Sequence, residues 1–387
     1  MLDQLKEALK TSDADYADIR FELRDEVNLA YRGRDVDQVS SRAMQGGVAR
    51  ALYRGGWGIA TFDSPDELGE RVRQACAAAR LVGKAKSMLA PVPPVHLDQP
   101  AFFRKDFRGI SLGDKLRLLG TYNGILLAAL TSIVSTLIRY TELFRTVFFA
   151  STAGASFREE RPGAGFWMSA TARDGSLVQS LFDGFATRLD FAELENRETE
   201  VEALARKVAE LLKAPPVEGG TYTAVLDPLL AGVLVHEACG HLSEADGLQD
   251  NPRMQEELAL GRTMGAKALN IVDDGTREGG TGTHPVDDEG TPTRKTYLVK
   301  DGILSGRLHS RETAGKMGEP PTGNARSVDR FHPPIVRMTN TYIEPGTARF
   351  RDMLCGIDKG LYACRMQGGM TNGEQFSFSA GYGYRIE

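Results

Sequence analysis

The run Val233-Leu234-Val235-His236-Glu237-Ala238-Cys239-Gly240-His241 sets two imidazoles and a carboxylate inside an apolar segment that otherwise reads as a buried helix. A core helix has no packing reason to carry them, whereas metal chemistry does. Neutral imidazoles are the commonest protein ligands for zinc, and a neighbouring glutamate can act as general base on a metal-bound water. The spacing restricts the backbone. In the H-E-x-x-H metal-binding helix the histidines fall about 40° apart, whereas five residues on a regular helix turn through about 140°. Both rings face one metal only if the helix is widened, kinked or ending there, and Gly240 makes such a distortion cheap. The plain alternative is a pair of satisfied core or capping histidines beside a solvated glutamate.

Acidic Glu244 and Asp246 follow within a turn or so, where carboxylates that orient metal-bound imidazoles are useful. They read equally as an exposed helix end before a turn at Gly247. Cys239 reads as small and buried, pointing away from any metal.

The chain has 387 residues, enough for two domains with cores of their own. A net charge of −5 and the lack of a basic stripe argue against nucleic acid as a partner. The cysteines Cys76, Cys239, Cys355 and Cys364 show neither paired metal-ribbon spacing nor a disulfide framework. With no signal peptide in view, the expected location is the cytoplasm. Residues 125–138 are apolar but shorter than the roughly 20 a bilayer span needs. They read as a helix end running into a buried strand, and no membrane association is expected.

The expected fold class is α+β, rich in antiparallel sheet, with a domain at 1–214 and a strand-rich one at 215–387. A short amphipathic helix over 2–9 precedes alternating apolar and charged residues over 16–61, the mark of half-exposed antiparallel strands. Ser64-Pro65-Asp66-Glu67 reads as the capped start of a helix reaching Ala79. Residues 90–94 form a stiff connection, a second helix starts at Leu112, and a long charged helix is expected over 191–212. Pro215, Pro216 and the Gly219-Gly220 pair mark the boundary. Beyond it, a strand over 222–226 leads to a helix starting near Asp227-Pro228. Strands are expected at 269–272, 335–343, 360–364 and 376–386, and a hairpin turns at Asp301-Gly302. The glycine-rich stretch 273–292 lacks the lysine and helix of a phosphate cradle. It reads as a mobile surface loop that could serve as a lid over the site, with His284 a loop residue more than a ligand.

The H-E-A-C-G-H run with Glu244-Ala245-Asp246, the segment 336–346 from Val336-Arg337-Met338-Thr339-Asn340 to Glu344-Pro345-Gly346, and Gly368-Gly369-Met370-Thr371-Asn372-Gly373-Glu374 together resemble the TldD/PmbA metallopeptidases. The resemblance covers nearly the whole chain and points to the TldD-like members, which carry the histidine motif. It implies zinc (Zn2+) held by His236 and His241, with Glu237 as general base. It also implies a peptide substrate, short or unfolded, and a homodimer or a heterodimer with a PmbA-like subunit. Family members take a further ligand from a cysteine in a Gly-Thr-Cys-Gly-type motif near the C-terminus. Cys355 and Cys364 do not sit in such a motif, so the chain looks like a form lacking its last segment.

Arg337 and Asn340 are candidates to line a peptide channel, though each reads as well as an ordinary sheet residue, and Asn372-Gly373 as a turn. Two functions follow. One is a cytoplasmic zinc-dependent peptidase whose substrate lies as an extended strand along a sheet edge. The other is a catalytically incomplete peptide-binding or assembly subunit.

Overall fold

A computed structural model describes residues 1–372 and 375–387; the Gly373-Glu374 pair, part of the third motif and of the expected turn, lies outside the described residues. The first part runs α1 (Leu2–Leu9), β1 (Tyr16–Arg32), β2 (Asp35–Tyr53), β3 (Gly56–Phe62), α2 (Leu68–Val82), β4 (His96–Gln99), α3 (Leu112–Ala128), β5 (Ile133–Ser151), β6 (Ser156–Asp174), β7 (Leu177–Thr187) and α4 (Glu198–Leu211). Its strands form one sheet in the order β3-β2-β1-β5-β6-β4, with β7 also on β6. Apart from parallel β4, every pairing is antiparallel.

Side-chain alternation gives this sheet two different faces. Ile19, Phe21 and Leu29 of β1, with Ile138 and Tyr140 of β5 and Phe166 of β6, pack under the helices. The intervening residues Asp18, Arg20 and Glu22 were expected to face water, yet all three are buried. The second half of the chain covers them. Asp18 pairs with Arg50, which also reaches Glu289 at 3.2 Å. Arg20 bonds Glu22, and Arg161 reaches Glu159 and Asp288 at 2.8 and 2.7 Å.

This junction also corrects the expectation of a mobile loop over 273–292. Residues 286–291 are buried, and their acids answer arginines from strands more than a hundred residues away. His284 is not a free loop residue, since its Nδ1 lies 2.8 Å from Glu159, and among the described residues it belongs to no group of potential metal ligands. Charge at this junction is retained because it is paired and hydrogen-bonded.

The second part runs β8 (Thr223–Leu226), α5 (Pro228–Val235), α6 (Pro252–Glu257), β9 (Ile271–Asp274), β10 (Lys295–Lys300), β11 (Ile303–Leu304), α7 (Arg311–Met317), β12 (Ala325–Arg326), β13 (Ile335–Val336), β14 (Thr341–Ile343), α8 (Phe350–Cys355), β15 (Gly360–Asn372) and β16 (Gln375–Ile386). One sheet is ordered β11-β10-β9-β14 and another β16-β15-β8. The hairpin at Asp301-Gly302 forms with both residues at positive φ.

Local differences have local causes. Ser64 bonds Asp66 instead of capping the second helix, which starts later behind Glu67 and ends at Val82. The expected helix over 191–212 is broken at Glu195–Arg197, between a 3-10 turn capped by Asp190 and the start of α4. The expected strand over 335–343 is two short pieces, β13 and β14.

Burial and the Arg161 charge hold His284 down at about 4, against 6.5 for the free side chain. Between those values the unfolded chain binds a proton at this site that the folded chain refuses, so stability falls as pH falls. Relative to a His284→Asn variant, the wild-type protein should lose about 2 kcal/mol between pH 7 and pH 5. Denaturant titrations at the two pH values measure this; parallel pH profiles for the two proteins would refute it.

Candidate metal centre

Asp227 starts the motif helix. Its side chain accepts from Leu230 N at 2.8 Å and from Arg365 N at 2.8 Å, so the cap also ties α5 to β15. Pro228 occupies the first turn, where its missing N–H costs nothing. At Val235 the regular helix stops and His236–Gly240 forms one π-helical turn, with the His241 amide donating to the His236 carbonyl. That i→i+5 bond resolves the spacing problem. It brings positions five apart to one face, and the His236 and His241 rings meet edge to face with centroids 4.7 Å apart.

Gly240 has ordinary right-handed dihedrals, so the turn does not draw on glycine's backbone freedom. Its missing side chain serves packing instead, because a Cβ there would stand 2.0 Å from Met338 Sδ.

Glu237 is buried, and β15 supports it from the other side. The Thr371 hydroxyl lies 2.7 Å from Glu237 Oε2 and 2.9 Å from the Glu237 carbonyl oxygen, sharing one proton between them. A Cβ at Gly369 would lie 2.6 Å from Glu237 Oε1, so only glycine leaves the carboxylate this space. The potential ligand atoms of His236, Glu237 and His241 all lie within 4.8 Å of one another.

The two candidate orienting carboxylates part company. Glu244 Oε2 is 3.0 Å from His241 Nδ1, which leaves Nε2 as that ring's free ligand atom. Among the described residues its Oε1 is buried without a hydrogen-bond partner, with Arg337 Nη1 3.8 Å away. Asp246 instead accepts from Val336 N at 2.5 Å and serves the backbone. Burial, reinforced by the His241 ring, holds His236 below its ordinary value, which keeps it neutral and able to donate a lone pair.

A cleft of about 710 Å³ opens beside the turn, lined by His241, Glu244, Asn251, Arg337 and Thr371. Arg337 therefore faces this space. Asn340 does not; it bonds Asp274 O, Gly282 N and Thr283 Oγ1 and braces the glycine-rich segment. Cys239 is half-buried against the apolar cluster around Val235 and Leu298, with burial raising its thiol to about 11. Cys355 is exposed and Cys364 buried, and neither belongs to the group of His236, Glu237 and His241.

The residues present fit a divalent cation of the zinc type. Two imidazoles and a carboxylate converge, and one ring is fixed by a carboxylate with a spare buried oxygen. Gly369, Thr371 and Met338 were not assigned roles from sequence; each acts across the fold on the turn, and only their order in the chain was legible.

Comparisons with known proteins identify the family. Family models match three stretches: PmbA/TldA metallopeptidase domain 1 at 17–79, the central domain at 105–214 and the C-terminal domain at 219–387. A Synechocystis protein named a metalloprotease is 43% identical over 379 residues, covering 97% of this chain and 81% of that one. A Saccharolobus solfataricus protein named a zinc metalloprotease TldD homolog is 26% identical over 387 residues, covering 97% and 83%. Among solved structures, TldE from Thermococcus kodakarensis superposes with a TM-score of 0.76 at 18% identity, covering all of this chain and 87% of that one, a likeness of fold.

Glu244→Ala should weaken zinc binding about 10- to 100-fold, as loss of an orienting carboxylate does, without changing the circular dichroism spectrum. Asp246→Asn should leave affinity where it was. Chelator competition on both variants decides, and equal losses would contradict the division of labour between the two acids.

Proposed function

The chain belongs to the PmbA/TldD metallopeptidase family, and from that premise we propose that it is a zinc-dependent peptidase acting on short or unfolded peptides. The observation that carries the proposal is the π turn, which converts a five-residue histidine spacing into one convergent donor set with a buried glutamate beside it. His236 and His241 would hold the metal. Zinc bound there supplies a Lewis acid that polarises a carbonyl and makes water acidic near neutral pH.

The chain's own groups do the rest. Glu244 accepts the His241 Nδ1 proton and fixes that ring. Glu237 takes the proton of the attacking water and returns it to the leaving amine nitrogen. Thr371 donates to Glu237 Oε2, which leaves Oε1, in the space opened by Gly369, as the basic oxygen. Arg337 lines the cleft and supplies a cation for substrate carbonyls or carboxylates.

Pairing with a second copy or a PmbA-like chain, a cytoplasmic location and the division of the chain at 214/215 belong to the same proposal. Among the described residues no helix is long and apolar enough to cross a membrane.

Glu237→Gln should keep zinc and reduce peptide hydrolysis by at least about 100-fold. His236→Ala should lose the metal as well. Metal analysis beside an assay on unfolded peptide decides: hydrolysis retained by Glu237→Gln would remove the general-base role. Folded wild-type protein without metal affinity would favour the binding-subunit reading.

A further inference from the structure

A second polar site lies away from the metal turn, where β5, β6 and the end of β7 meet the glycine-rich segment. Arg145, Arg161, Arg188, Thr187 and Thr281 line a cleft of about 200 Å³. Among the described residues, Arg161 alone of the three arginines is ion-paired, with Glu159 and Asp288. Arg188 donates to the Thr283 carbonyl oxygen and, among the described residues, to no acid. Among the described residues Arg145 has no hydrogen bond or ion pair, and its Nε is buried without a partner.

An arginine placed there without a counter-ion is expensive. Burial and the neighbouring Arg161 charge depress Arg145 to about 10, and burial depresses Arg188 as well. Glu22 and Asp288 act on Arg145 and Glu159 on Arg188 only from a distance, and half-buried charge without a directly bonded counter-ion is characteristic of binding sites. Three guanidinium groups around one small cleft suit a planar oxyanion that accepts paired N–H bonds.

The cleft also says something about the rest of the ligand. It shares Pro162, Ala186, Thr187, Arg188 and Thr281 with a larger cleft of about 650 Å³, whose walls include exposed Phe102 and Leu189. An anion held by the arginines can therefore be one end of a longer molecule of mixed polarity. The segment between the two sites is tightly built. Gly280 and Gly282 close on Asn340 and Thr339, while Met338, the next residue back, closes on Gly240 of the metal turn.

We propose that the cleft between Arg145, Arg161 and Arg188 is a carboxylate-binding site that captures an acidic group of a peptide, at its C-terminus or on a side chain. The peptide part of this rests on the function proposed above; the carboxylate part rests on the arginines alone.

Calorimetry and thermal-shift measurements on the full chain test it, with three N-acetylated tetra-alanine probes: the free acid, the C-terminal amide, and the amide with one Asp replacing an Ala. At least one acidic probe should bind about tenfold or more tightly than the neutral amide. Which of them does so identifies the source of the carboxylate. Arg145→Met should abolish that preference and raise the melting temperature of the ligand-free protein, because it removes an unpaired cation. Arg145→Lys, which keeps the charge without the fork, should reduce the preference and serves if the Met variant does not fold. Equal binding of all probes, a preference that survives both variants, or binding of inorganic phosphate with neither acidic probe would each overturn the proposal. Binding is read without turnover, so a carboxylate preference without hydrolysis leaves this site standing and sinks the peptidase reading; hydrolysis without the preference does the reverse.

Discussion

Asp288 joins the two halves of the molecule through one carboxylate. Its oxygens meet Arg161 at 2.7 Å and Arg20 at 3.5 Å, and accept from Ser327 N at 2.8 Å. Burial opposes its ionisation, yet Arg161 and Arg20 hold it well below the usual carboxylate range. The arginines come from the sheet of the first half and the acid from the second, so Asp288 meets its counter-ions across the junction, while Arg20 and Arg161 pair as well with Glu22 and Glu159 of their own sheet. Buried ions left without partners cost several kcal/mol each, which makes the joined arrangement the one in which these charges are tolerable. With the neighbouring Asp18, Arg50 and Glu289 it anchors residues 287–289, whose carboxylates in turn accept from the amides of Arg311, Ala325 and Ser327.

The second step of positioning is Asp273, on β9. It accepts from Asn324 Nδ2, from the Thr339 amide and hydroxyl, and from the Thr341 hydroxyl, all between 2.7 and 2.8 Å. These bonds fix residues 337–341, which put Met338 against Gly240 and Arg337 beside the metal cleft. The hairpin of β15 and β16, tied to the motif helix through Asp227, brings Thr371 and Gly369 to Glu237. Two separate segments thus close on a turn of five residues.

Much of this was legible in the sequence, and the failures share a cause. Period-two alternation located β1, β2 and β3, turn chemistry located the hairpin at Asp301-Gly302, and Asp227-Pro228 located the start of α5. What alternation could not reveal is that Asp18, Arg20 and Glu22 are buried, because a charged residue facing water and one facing a distant counter-ion read identically. The same ambiguity made the acids at 287–289 read as loop. At the π turn, His236, Glu237 and His241 stood out as candidates from residue type and from an apolar setting, the structure brings them together, and even the need for a widened helix followed from arithmetic. Glu244 and Asp246 could not be told apart, since their difference is set by Val336, ninety residues downstream.

The widened turn explains why the site depends on the whole fold. A lone helix of this sequence would favour i→i+4 bonding and separate the histidines by about 140°. The π turn gives up that regular ladder, so its stability has to come from outside the helix. Met338 occupies the space that a side chain at position 240 would take, and the Thr371 hydroxyl meets the Glu237 backbone carbonyl as well as its carboxylate. The latter contact is informative, because it couples the backbone of the distorted turn to the orientation of its acid. A rearrangement that returned the turn to regular helix would move the Glu237 carbonyl and release the carboxylate together. Backbone distortion and the orientation of the Glu237 carboxylate are therefore one structural state, which β15 and the segment at 337–341 hold in place.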